Sequence, residues 1–129
     1  MTLVDTSAWI EVFRRHRPLD LTTYVPFDDV VTCLPVLQEV LQGFRDEGPF
    51  RIARDAMLAL PSVESPLRTE VVEDAVRLYR TARRHGLTVR SSVDCLIAAC
   101  ALRHDLEVLH RDRDYAKIAR VSALRERSL

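Results

Sequence analysis

Four acidic residues stand where apolar runs meet helical patterns: Asp5 in LVDTSAWIEVF, Glu39 in LPVLQEVLQGF, Asp94 in SSVDCLIAACAL and Asp112 in LEVLHRDRDYAKIA. Asp5 and Asp112 each follow a short apolar segment that reads as a strand and precede a helical pattern. In an open α/β sheet that position is the ligand-binding edge. Carboxylates crowded into one cleft of low dielectric repel each other by kilocalories unless a proton or a cation neutralises them, and hard divalent ions prefer such oxygen donors. Acids gathered at strand ends therefore predict a metal site.

Each acid also has a local explanation. Asp5, followed by Thr6 and Ser7, suits a helix N-cap, where a carboxylate accepts orphan amides and complements the helix dipole. Asp94 lies three residues after Ser91 and resembles a capping box, although Glu is the usual partner. Glu39, between Gln38 and Gln42, reads alone as a solvent-facing glutamate. Four acids at corresponding places favour the metal.

The elements that must position them follow from periodicity. A first strand ends near Asp5, and Trp9, Ile10, Val12 and Phe13 continue as a helix to about residue 15, followed by a loop over 18–29. VVTC at 30–33 is a strand, and the helix after it carries Pro35 near its first turn. Gly48 and Pro49 mark a turn before a helix over 50–60, which Pro61 stops. SVES is at most a short strand. LRTEVVEDAVRLYRTARRHG is the longest helical pattern, with Gly86 as its C-terminal cap. SSVDCLIAACALRHD is apolar almost all round and belongs at the centre. LEVLH is a buried strand, and YAKIARV a last helix. Alternating short strands and helices imply an α/β fold: a mostly parallel sheet of four to five strands with helices on both faces.

At 129 residues the chain fits one domain, spanning 1–129. A hydrophobic fraction of 47% with 29% charged residues is that of a folded globular protein. No apolar run approaches the roughly 18 residues of a membrane span, and the N-terminus has no signal-peptide core, so a cytoplasmic location is expected. Cys33, Cys95 and Cys100 form no CxxC pair and read as reduced and buried. His16, His85, His104 and His110 lack zinc-ligand spacing, so a metal here must be held by carboxylates. The formal net charge is zero, but Lys117 is the one lysine and the other basic residues are arginines, the better bidentate phosphate ligands.

The four quoted segments together resemble the PIN-domain family, specifically the VapC-type toxic ribonucleases of bacterial toxin-antitoxin pairs. The resemblance spans nearly the whole chain and implies a PIN-like three-layer domain. It implies that Asp5, Glu39, Asp94 and Asp112 are the catalytic, metal-binding quartet, and that the Thr6 hydroxyl supports the metal or its water. His110 stands where the family usually has Thr or Ser, and Tyr115 where Phe is common. Asp114 is an outer support or an alternative ligand to Asp112.

The chemistry implied is phosphodiester hydrolysis with Mg²⁺, or Mn²⁺ in its place, activating water and neutralising charge on the phosphate. The resemblance implies RNA as the substrate, cut to leave 5′-phosphate and 3′-hydroxyl ends. Arg90, Arg111 and Arg113 flank the acids and are candidates to receive the phosphate backbone. The family's members are generally dimers silenced by a cognate antitoxin, so a homodimer and an antitoxin partner are implied. Tyr24 and Phe27 are candidates for the antitoxin-facing patch, whereas Trp9 and Phe13 read as core.

Three other readings compete. A phosphoacceptor receiver domain would need a paired acid after the first strand and a lysine ending the last one. Asp5 has no acidic neighbour and Lys117 falls within a helix pattern, which argues against it. A PIN-like binding module without catalysis, and a metal-independent ribonuclease, differ from the metal-dependent enzyme in their products and their response to EDTA.

Overall fold

The computed structural model describes residues 1–129. Its sheet has five parallel strands: β1 (Thr2–Val4), β2 (Val30–Cys33), β3 (Ser62–Val63), β4 (Glu107–His110) and β5 (Glu126–Ser128), in the order β3-β2-β1-β4-β5. Leu3 faces Val31 on one side and Val108 on the other. Successive strand residues point to opposite faces, and Leu3 and Val4 are both fully buried, so both faces of the sheet are covered. Apolar strands without alternation are the sequence mark of that arrangement.

Six helices flank the sheet: α1 (Thr6–Val12), α2 (Leu34–Gln42), α3 (Glu47–Leu58), α4 (Thr69–Arg84), α5 (Ser92–Arg103) and α6 (Asp114–Arg120). α5 is the central one, with Cys95, Ile97, Ala98, Ala99, Cys100 and Ala101 all buried. Its alanines let α4 and the sheet approach closely, and α4 packs Val71, Ala75 and Ala82 inward. Gly86 adopts a φ of 72° just past α4. The Leu87 amide bonds the Ala82 carbonyl and the Gly86 amide the Arg83 carbonyl, a Schellman cap that matches the sequence expectation. The three cysteines are free and buried, as expected.

Several boundaries differ from the sequence reading. α1 stops at Val12, with Phe13 as its C-cap. α3 begins at Glu47, so Gly48 and Pro49 lie inside its first turn. Proline is tolerated there because the amide it lacks would be an orphan anyway. Two single 3₁₀ turns, Leu21–Thr23 and Phe27–Asp29, punctuate the loop over 18–29. β5 has no apolar run at all: Glu-Arg-Ser is a short charged edge strand, as edges tend to be. Arg127 ties it to Glu107 of β4 at 2.9 Å and to the Tyr24 carbonyl at 2.9 Å.

A second ion-paired cluster closes the β3–α4 loop onto the end of α5. The Glu64 side chain is buried and accepts Arg68 Nε and a terminal guanidinium nitrogen at 3.1 and 2.6 Å, with His104 Nε2 at 2.8 Å. Arg68 foremost, with His104, holds the Glu64 carboxyl down at about 2. A depressed folded-state value gives stability that is present above the unfolded value of about 4.5 and is lost as pH falls toward 2. Glu64→Gln is therefore expected to lower Tm at neutral pH and to flatten part of its fall between pH 4.5 and 2, as thermal melts would read.

Candidate metal centre

β1 and β4 are neighbours, and the chain builds outward from β1 to β2 and β3 before crossing to β4 and β5. That reversal makes the C-terminal ends of β1 and β4 a switch point, where such sheets open a crevice. Asp5 follows β1 there as the N-cap of α1. Its Oδ2 accepts the Ser7 amide at 3.0 Å and the Ser7 hydroxyl at 2.5 Å, while its Oδ1 accepts the Tyr115 hydroxyl at 2.5 Å. Capping is therefore realised, but it does not account for a carboxylate that is only 3% exposed and also bonded to a buried phenol.

Asp94 departs from the capping-box pattern. Ser91 is the N-cap of α5 but makes no side-chain cap bond. Asp94 is instead buried in the first turn, with Oδ2 lacking any hydrogen-bond partner. Burial foremost, then the charges of Asp5 and Asp112, push its carboxyl up to about 8.

Asp112 lies two residues past β4. Its amide donates to His110 Nδ1 at 3.0 Å, and its Oδ1 accepts the Asp114 amide at 2.9 Å and a terminal nitrogen of Arg90 at 3.2 Å. Asp114 is buried, with Oδ2 accepting the Arg90 amide at 2.9 Å and Arg90 Nε at 3.2 Å, and Oδ1 accepting Lys117 Nζ at 3.1 Å. Burial opposes ionisation, but the Arg90 amide, Lys117 and the Arg90 guanidinium hold Asp114 below the usual carboxylate range. One carboxylate oxygen from each of Asp94, Asp112 and Asp114 lies within 4.8 Å of the other two.

Glu39 is half-buried on α2, where its Oε1 accepts the Thr6 hydroxyl at 2.8 Å. Thr6 thus joins the helix that follows Asp5 to the helix that carries Glu39. Asp5 and Glu39 flank the three-acid cluster without being members of it, although the charge of Asp5 is felt by Asp94.

The donor set fits a divalent cation. It offers hard oxygen atoms, a buried carboxylate oxygen with no protein partner, and mutual repulsion that a cation relieves. Of the three arginines, Arg90 bridges Asp112 and Asp114, while Arg111 donates its amide to Ser7 Oγ at 2.9 Å and pairs with Glu11 at 3.2 Å. Arg113 is exposed. Arg111 and Arg113 line a groove of about 360 Å³ beside Asp112, together with His110 and Glu126.

Sequence reasoning passed over Ser7, Lys117 and Glu126 as parts of this centre, and gave Tyr115 no role. Ser7 had a signal, since a capping Asp commonly bonds the backbone amide two residues on, which brings the Ser7 hydroxyl within its reach. Tyr115 had none, because an aromatic residue on the apolar side of a helix pattern reads as core. Trp9 is core as expected, buried and stacked on Phe13 at 5.8 Å. Phe27 is 63% exposed, while Tyr24 packs partly against the core.

A doubly wound parallel sheet with an acidic centre at its switch point defines a class of small α/β domain. The PIN domain family matches residues 2–121. VapC ribonuclease Mb1587 of Mycobacterium bovis and Ribonuclease VapC11 of Mycobacterium tuberculosis are each 36% identical to the chain over 139 aligned positions, covering 99% of it and 98% of their own length. The chain belongs to the PIN domain family, among its VapC-type members. The solved structure of VapBC2 from Rickettsia felis bound to a DNA fragment from their promoter shares the fold at a TM-score of 0.77 and 14% identity, covering 99% of this chain and 98% of its own. VapBC-5 from Mycobacterium tuberculosis does so at 0.69 and 23%, covering 99% and 96%.

Proposed function

We propose that the protein is a Mg²⁺-dependent endoribonuclease toxin, with Mn²⁺ able to replace Mg²⁺, held inactive by a cognate antitoxin. The carrying observation is Asp94: a buried carboxylate with an unpartnered oxygen, crowded by acids at the switch point of the sheet. When bound, the ion would activate water and neutralise charge on the scissile phosphate. Asp94 and Asp112 offer it oxygens from α5 and from the end of β4, and Asp5 does so from the end of β1. Glu39, held by Thr6, completes the quartet from α2.

Asp114 is already paired with two cations, Arg90 and Lys117, whereas Asp5 is bonded only by neutral donors; this favours Asp112 as the fourth ligand and Asp114 as the anchor of Arg90. Arg90, with its side chain 62% exposed, then presents a cation at the rim. Arg111 and Arg113 extend that rim along the groove beside Asp112, giving an RNA backbone an approach to an otherwise acidic pocket. His110 is poorly placed as a base. Its Nδ1 accepts the Asp112 amide and its Nε2 bonds Glu126 at 2.5 Å, leaving no free lone pair for a substrate proton.

The relatives named as ribonucleases and the toxin-antitoxin assemblies among the solved structures support the same reading. Two apolar grooves flank Glu39, one lined by Ile10, Phe13, Val40 and Phe44, the other by Leu34, Pro35, Val93 and Leu96. Either suits an apolar segment of an antitoxin better than isolated Phe27 does. A homodimer and a cytoplasmic location complete the proposal, and no helix is long and apolar enough to cross a membrane.

The test is incubation of purified, antitoxin-free protein with total bacterial RNA in Mg²⁺ or EDTA, mapping the cut ends. Discrete cuts bearing 5′-phosphates and lost in EDTA are expected. Cuts that survive EDTA and end in cyclic phosphates would establish a metal-independent enzyme. Folded protein that cuts nothing with Mg²⁺, or with Mn²⁺ in its place, would leave a binding module.

A further inference from the structure

The Tyr115 side chain is fully buried, and its hydroxyl makes one hydrogen bond, to Asp5 Oδ1 at 2.5 Å. Burying a hydroxyl costs free energy unless it is bonded, and phenylalanine would fill the same space without that cost. The hydroxyl is therefore unexplained by packing. Its partner is Asp5, the strand-end acid beside the three-acid cluster.

The donors around Asp5 converge from separate parts of the chain. Ser7 of α1 supplies an amide and a hydroxyl to Oδ2, and Tyr115 of α6 supplies a hydroxyl to Oδ1. Ser7 Oγ in turn accepts the Arg111 amide at 2.9 Å, from the loop that carries Asp112. The Tyr115 ring is itself braced. The His110 ring lies against it with centroids 4.9 Å apart, and His110 is pinned by the Asp112 amide on one nitrogen and Glu126 of β5 on the other. The edge strand that the sequence hides thus braces the aromatic pair behind the two strand-end acids.

We propose that Tyr115 is a positioning residue for the metal, its hydroxyl fixing the Asp5 carboxylate so that the remaining lone pairs face the ion beside Asp94 and Asp112. The inference rests on the metal-dependent reading above. Outer partners that orient a ligating carboxylate typically change metal affinity by about 10- to 100-fold when removed. Tyr115→Phe removes the oxygen alone and keeps the ring that packs against His110.

The experiment is a Mn²⁺ titration of the full chain, with free Mn²⁺ counted by electron paramagnetic resonance, alongside thermal melts in EDTA. For Tyr115→Phe a loss of Mn²⁺ affinity of about 10- to 100-fold is expected, with far-ultraviolet circular dichroism unchanged. A purely structural role would move the melt in EDTA and leave the affinity alone, and affinity equal to wild type overturns the proposal whatever the melt does. Wild-type protein that binds Mn²⁺ while Tyr115→Phe binds it equally well sinks this inference and leaves the metal-dependent reading standing. Wild-type protein that binds no Mn²⁺ sinks both.

Discussion

Replacing Asp94 by Asn is expected to stabilise the metal-free protein at pH 8 while removing the proposed ribonuclease activity. The two effects have one source. The carboxylate is buried, one oxygen has no partner, and neighbouring acids push its carboxyl up to about 8. Ionising it without a cation therefore costs free energy, which an isosteric neutral amide avoids. Leaving a buried group without a partner costs about 1–3 kcal/mol, and more when the group is charged. The amide sheds the part due to charge, and a gain on the order of 1 kcal/mol or more corresponds to a few degrees in Tm for a chain of this size. Cleavage is expected to fall by more than about 100-fold, since loss of a mere outer-sphere partner already costs up to that much. Melts in EDTA at pH 8, paired with an RNA cleavage assay in Mg²⁺, read both effects. A lower metal-free Tm in Asp94→Asn would identify Asp94 as a structural carboxylate and take the central observation away from the metal reading.

Asp94 also marks where sequence reasoning reached its limit. An acid three residues after a serine at a helix start has a sufficient local explanation, and nothing in the chain distinguishes a capping carboxylate from an orphaned one. The difference is tertiary: α5 enters beneath the ends of β1 and β4, and only there does its first turn meet Asp5 and Asp112. Asp5 and Asp112 themselves were legible, because a strand followed at once by a helix places an acid at the sheet edge whatever the rest of the chain does. Glu39 was legible only in company with the other three acids and through the family resemblance, as its neighbours are glutamines and its anchor, Thr6, lies on another helix.

The order of the apolar strands and the long helices followed from periodicity, because a parallel sheet covered on both faces needs continuous apolar runs. β5 did not, since three polar residues pair by backbone alone and carry no pattern. Missing it hid Glu126, and with it the brace on His110 and Tyr115. Arg90 was read as a phosphate contact from its position beside Asp94, yet its amide and guanidinium are tied to Asp114 and Asp112. Its charge offsets part of the acidity of the centre before any substrate arrives.

That partial offset leaves Asp94 uncompensated, and the pH dependence of stability follows from it. A folded-state value raised from 3.8 to about 8 means that the folded protein binds more protons than the unfolded chain across that interval. Stability contributed by Asp94 is then complete below its unfolded value and is lost as pH rises toward about 8. Glu64 and Asp114 work in the opposite sense, but their depressed values place that gain in the acid range, so it is complete by pH 5. Between pH 5 and 8 Asp94 is therefore the shifted carboxylate that still titrates, and the Tm of the metal-free protein is expected to decline. On the metal-dependent reading, Mg²⁺ is expected to reverse the decline, because it would bind the folded state and take the place of the proton. At about 100 times its Kd a ligand adds about 2.7 kcal/mol, and more of that increment is available at pH 8, where only about half of the Asp94 carboxyls still hold a proton. At pH 5 the ion must first displace one, so the same concentration gives a smaller rise in Tm. Melts at both pH values with and without Mg²⁺, at matched ionic strength, measure the difference. An equal Mg²⁺ shift at pH 5 and pH 8 would mean that the ion does not compete for the Asp94 proton, and a metal-free decline that persists in Asp94→Asn would assign it to another group.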